Sequence, residues 1–162
     1  VIVEDRGGCK NRVSVKIEKG VLKVKINTHG CCDVRIRLPQ KNYNMSLSFS
    51  DATLKLENLT VNNFVLIASA SSIKILETVI ANANFTITAS SIELYGSSIE
   101  DRLTISASES SAKLILLNKS ALVILQRAMA SSILDLCQKD QKPTIVISAL
   151  ASSIKVICMR AR

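Results

Sequence analysis

The sequence offers one histidine, five cysteines and many serines as groups able to do chemistry. A Ser-His-Asp or Cys-His pair needs an imidazole beside its nucleophile, and His29 is the only one in the chain. It stands in Asn27-Thr28-His29-Gly30, a turn sequence, and reads as an exposed structural residue. There is no Walker or Rossmann glycine pattern, and no carboxylate cluster has metal-binding spacing. Cys9, Cys31, Cys32, Cys137 and Cys158 lack the CxxC spacing of zinc and redox sites. The chain reads as non-enzymatic, with no catalytic residue, no metal and no cofactor.

Covalent modification is the better candidate chemistry. Asn44-Met45-Ser46, Asn58-Leu59-Thr60, Asn84-Phe85-Thr86 and Asn118-Lys119-Ser120 are N-glycosylation acceptor sequences. They are a modest excess over chance for this composition. Asn44 and Asn84 each precede an inward apolar residue, so both should point outward. The chain begins at Val1 rather than Met, which a cleaved signal peptide or a fragment boundary would explain. Together these point to an extracellular or cell-surface location.

The elements that position these groups come from a repeat. Ala70-Ser71-Ser72-Ile73, Ala89-Ser90-Ser91-Ile92, Ala130-Ser131-Ser132-Ile133 and Ala151-Ser152-Ser153-Ile154 recur, with Glu109-Ser110-Ser111-Ala112 as a variant. Counted at the second serine, the steps are 19, 20, 21 and 21 residues. A fixed period near 20 marks a solenoid, whose coils bury their apolar side only against neighbours. Around each serine pair, apolar residues alternate with polar ones: Phe85, Ile87, Ala89 before and Ile92, Leu94 after. Lys74, Glu93, Lys113 and Lys155 fall between and should face water. Period-two alternation marks a strand buried on one face. The phase jumps at the serine pair, which reads as a corner, with Ala packed inside it and the hydroxyls bonded to nearby backbone.

The fold expected is all-β: a single-stranded parallel β-solenoid of about six coils, preceded by an N-terminal β-hairpin region. Residues 1–40 hold Val1-Ile2-Val3 as a strand, then a hairpin turning at Glu18-Lys19-Gly20, then Val34 to Leu38 ended by Pro39. Residues 41–162 hold the coils, and the two parts form one structural unit. One coil fits badly, because a strict count puts Asp135 inward. A one-residue bulge making Leu134 and Leu136 the inward pair is the preferred reading.

The cysteines follow from this layout. Cys9 and Cys31 or Cys32 flank the hairpin, and a bridge between them would clip it shut. Cys137 and Cys158 lie one coil apart and should stack at about 4.8 Å, within disulfide range. The bulge at Leu134 would turn Cys137 away, and buried free thiols stand as the alternative for both pairs, more strongly for this one.

The Val34-Arg35-Ile36-Arg37-Leu38-Pro39 strand, the run from Met45 to Leu56 and the Ala-Ser-Ser-Ile repeats resemble the head GIN adhesin family of β-solenoid domains. The resemblance covers about residues 30–162. The chain departs from it after the serine pair, where Ile, Ala or Thr replaces Gly. It implies a parallel β-solenoid, often at the cell surface, with no catalytic residues.

The net charge is +8, but Lys and Arg are spread along outward strand positions. Aromatics for base stacking are only 3% of the chain, which argues against a nucleic-acid partner. No apolar run reaches the roughly 18 residues of a membrane span. Two functions lead, with an intracellular polymer of bactofilin-like β-helices as a third that glycans on the native protein would exclude. The first is a secreted, glycosylated subunit whose partner is itself, joined through open solenoid edges. Val1, Ile2 and Val3 would supply one edge, and Ile154, Val156 and Ile157, in the final coil, the other. The second is a monomeric adhesin whose flat faces bind a cell-surface glycan or protein.

Overall fold

A computed structural model of the chain describes residues 2–5, 13–18, 21–27, 33–37, 42–118, 121–139 and 142–159, the first four segments as backbone strands. Among the described residues fifteen strands make one continuous sheet. In the N-terminal region they are β1 (Ile2–Asp5), β2 (Val13–Glu18), β3 (Val21–Asn27) and β4 (Asp33–Arg37). The coils hold β5 (Asn42–Ser50), β6 (Thr53–Glu57), β7 (Thr60–Ser69), β8 (Ser72–Leu76), β9 (Val79–Thr88) and β10 (Ser91–Ser108). They continue with β11 (Ser111–Leu116), β12 (Leu122–Met129), β13 (Ser132–Leu136), β14 (Thr144–Leu150) and β15 (Ser153–Cys158).

The expected fold is the one found: stacked parallel coils of about 20 residues, about six in number. Each coil lays one strand on face B and the next on face A, and β10 bends to serve both. The hairpin β2–β3 is antiparallel, with Glu18 opposite Val21. β3 then pairs in parallel with β5, and β4 with β6. β1 pairs antiparallel with β4.

The coils do not stack in chain order. β11 pairs with β15, and β15 pairs in turn with β13. On face B, β14 likewise lies between β10 and β12. The last coil in sequence is inserted beneath the one before it, so coil 122–136 lies outermost. Ile154, Val156 and Ile157 therefore have neighbours on both sides, and the reading of them as a free edge is overturned.

Asp135 supplies a physical reason. β13 runs in unbroken register with β15, and Asp135 stands opposite the fully buried Val156. The expected bulge at Leu134 is absent, and Leu134 and Leu136 are exposed. In chain order Asp135 would be sandwiched between two apolar coils. An unpaired carboxylate there costs several kcal/mol. On the outermost coil it is exposed to water. The irregularity in this coil lies on β12 instead, between Leu125 and Arg127.

Inward positions build one aliphatic column through the stack, including Leu66, Ile73, Ile75, Ile87, Leu94 and Ile105, each 0–1% exposed. Burying each such side chain contributes roughly 1.5–3 kcal/mol. Phe64 and Phe85 meet edge to face within it, their centroids 5.2 Å apart.

The corner is built differently from expectation. Ala70, Ala89, Ala130 and Ala151 are exposed, with φ between 47° and 49°. Asp51 and Glu109 take the same left-handed conformation at their corners. That single residue shifts the inward phase, so Ala68 and Ser71 point inward while Ala70 does not. The buried corner residue is thus the first serine, not the alanine.

Candidate functional site

The serine corner forms a ladder along the stack. The Ser71 N–H donates to Ser90 Oγ at 3.0 Å, and the Ser90 N–H donates to Ser110 Oγ at 3.1 Å. Ser110 donates to Ser152 Oγ, and Ser152 to Ser131 Oγ, both at 3.2 Å. Each hydroxyl also donates to the carbonyl two residues before it, as Ser90 Oγ does to Thr88 O at 2.7 Å. Donor and acceptor capacity are both used, so these serines hold corners together and are not poised as nucleophiles. A shallow trough of about 1240 Å³ runs along the corner, lined by its alanines and serines with Asp51 and Glu109.

A second ladder at the opposite corner escaped the sequence reading. Thr78 N–H donates to Ser97 Oγ at 3.1 Å, and Thr78 Oγ1 donates to Leu76 O at 2.9 Å. One coil on, Leu116 stands opposite Ser97 and the hydroxyl ladder ends, while Asn118 bonds the backbone two residues past Ser97. Its Oδ1 accepts from Ile99 N–H at 2.9 Å and its Nδ2 donates to Ile99 O at 2.8 Å. The nitrogen that a glycan would occupy is already bonded and half-buried.

The other acceptor asparagines differ in setting. Asn44 is half-buried and its Oδ1 accepts from Asn63 Nδ2 at 2.9 Å. Asn84 is exposed on face B. Asn58 is exposed at a corner with φ 53°.

The cysteine pair one coil apart is brought together. Cys137 and Cys158 form a disulfide with Cα atoms 4.8 Å apart. It ties the end of β13 to the end of β15, and so fastens the outermost coil to the one beneath. Cys9, Cys31, Cys32, His29 and Val1 lie outside the described residues. Among the described residues no three His, Cys, Asp or Glu side chains form a metal-ligating group. None of the described elements is a helix long and apolar enough to cross a membrane.

The outermost coil is where the fold is unfinished. Among the described residues no strand pairs with the outer edge of β12 or β13. Leu125 lies opposite the buried Ile147 yet is 52% exposed, and Ala128, opposite the buried Ala149, is exposed too. Val123 and Ile133 are half-buried at equivalent inward positions. At the opposite end the edge strands are β1 on face A and β2 on face B. Ile2 and Val3 already pair with Arg37 and Ile36, so β1 is docked on its own chain rather than free.

Outside the core, face A carries a row of charges along the stack, Lys55, Lys74, Glu93, Lys113 and Lys155. Glu93 pairs with Lys113 at 3.1 Å. No family model, curated protein or solved structure matches this chain.

Proposed function

We propose that the chain is a non-catalytic structural subunit, acting outside the cytoplasm, that assembles end to end into a filament or surface layer. The observation that carries this reading is the open coil 122–136. It offers two unpaired strand edges flanking an apolar patch, and an open parallel edge is a template for another strand. Asp135 lies in the same end face, so the contact must leave that carboxylate hydrated or ion-paired. All face A strands from β4 to β13 run one way, and β1 runs the other. On face B the same holds for β3 to β12 against β2. Head-to-tail stacking sets β13 beside β1 of the next copy and β12 beside β2, antiparallel on both faces. A contact of this heterologous kind does not close on itself, and so propagates. The disulfide supports an oxidising compartment, and the exposed Asn58 supports glycosylation there.

Leu125→Arg tests the contact, because it puts a charge in the middle of the open end. The native chain should give filaments by electron microscopy, and the variant should stay monomeric by size exclusion. A variant that assembles as well as the native chain contradicts the assigned surface.

The lysine row favours a second reading, a monomeric adhesin binding an anionic polysaccharide along face A. Four lysines in one row, broken by Glu93, leave Lys74 and Lys155 as the cations available to a repeating polyanion. Retention on a sulfated polysaccharide that survives Lys74→Glu with Lys155→Glu contradicts it.

A further inference from the structure

Face B differs from face A in a way that its fold does not require. Two outward rows cross it, running Ser48, Ile67, Thr86, Ser106, Ser148 and Arg127 in one. The other runs Ser50, Ser69, Thr88, Ser108, Leu150 and Met129. Charged residues make up 21% of the chain, and face A has one in every coil from β6 to β15. From β5 to β14 these two rows have none; Lys25 on β3, beside Ser48, and Arg127 on β12 bound them.

The rows are also uneven in a patterned way. Ile67, Leu150 and Met129 stand 50–65% exposed. They border two hollows, one of about 270 Å³ lined by Ser106, Ser108 and Ser148 together with Arg127, Met129 and Leu150, the other of about 210 Å³ lined by Ser48, Ser50 and Ser69 together with Ile67.

We propose that face B pairs with face B of a second copy, across a twofold axis parallel to the strands between β9 and β10. That axis reverses strand order and keeps each row opposite itself. β7 then faces β14 of the partner copy, and β5 faces β12. Ile67 meets Ser148, Leu150 meets Ser69, and Met129 meets Ser50. At the axis Thr86 meets Ser106 and Thr88 meets Ser108. Each bulky apolar group enters a serine hollow, and no charge is buried; Arg127 lies at the rim over Ser48. The solenoid axes run antiparallel.

The area decides what the contact can do. Six strands at about 4.8 Å and two rows give roughly 400 Å² a copy, about half of what a stable free dimer needs. The pairing is therefore transient between monomers and additive between assembled chains, where it acts laterally. It does not require the end-to-end contact. It does require Asn84, one row away on the same face, to carry no glycan.

The test uses Ile67→Cys with Ser148→Cys, in the full chain carrying Leu125→Arg so that end contacts are blocked. Labelled and unlabelled chains are mixed at high concentration and treated with a short bifunctional thiol reagent. Within one chain the two positions are three strand steps apart, about 14 Å, beyond the reagent's reach. The expected result is a 67–148 link between labelled and unlabelled chains, lost when Ser106→Lys puts a charge beside the axis. Circular dichroism checks that each variant keeps its β fold. Absence of that link, or links from 67 to 67 at equal frequency, overturns the pairing. Filament length in the unblocked chain is read separately and bears only on the end-to-end contact.

Discussion

Asp135 lies directly opposite Val156 where β13 pairs with β15, an acidic residue in the inward row of an otherwise apolar stack. Its coil is the outermost, and the coil that follows it in sequence lies beneath. Lys155 consequently sits between Lys113 on one side and Leu134 on the other. Two cysteine pairs separate this order from simple chain order. Lys113→Cys with Lys155→Cys should form a disulfide, and Lys113→Cys with Leu134→Cys should not. Peptide mapping without reduction reads the outcome, and the reverse result would place the coils in chain order.

The serine ladder makes a stability prediction. Ser90→Ala removes the acceptor of the buried Ser71 N–H. Leaving that donor unsatisfied should cost about 1–3 kcal/mol. The neighbouring Ser91→Ala lies on the exposed side of the corner and should change stability by less than about 0.5 kcal/mol. Denaturant unfolding of the two variants compares them directly. Equal effects would contradict the assignment of the first serine as the structural one.

Much of this was legible in the sequence, and the failures have physical causes. Alternation around residues such as Ile87 and Ile92, with the 20-residue period, is enough to specify strands and stacking. Stacking order is different, because the coils present similar corners and mostly apolar inward rows, so the period fits any permutation. Asp135 was the one residue that marked its coil as different. A left-handed residue moves the phase by one place, so Ala70 counted as inward when Ser71 is. The second corner uses Thr78 and Ser97 in equivalent roles, then Leu116 at that position with Asn118 bonding Ile99 nearby, and this change of residue type leaves no repeat to find.

The disulfide should stabilise the outermost coil in particular. Cys137 and Cys158 are 21 residues apart, and the chain-entropy model gives about 3 kcal/mol for a loop of that size. Cys158→Ser should lower stability by about that amount. Hydrogen exchange should rise most in residues 121–138, where inward positions are already half open. Uniform loss of protection across all coils would contradict a latch on one end.

Glycan placement follows from the asparagine settings. Occupancy is expected at Asn58, which is exposed, and not at Asn118, whose Nδ2 is bonded to Ile99 O. Glycopeptide mapping of native material reads both positions. A glycan on Asn118, or an unmodified Asn58 in a chain glycosylated elsewhere, runs against this assignment.

Electron microscopy of the native protein at high concentration tests the end-to-end account most directly. Unbranched filaments are expected, in which β13 of one copy lies antiparallel to β1 of the next and β12 to β2. A monodisperse population of single solenoids, with the outer edge of coil 122–136 still uncovered, would contradict it.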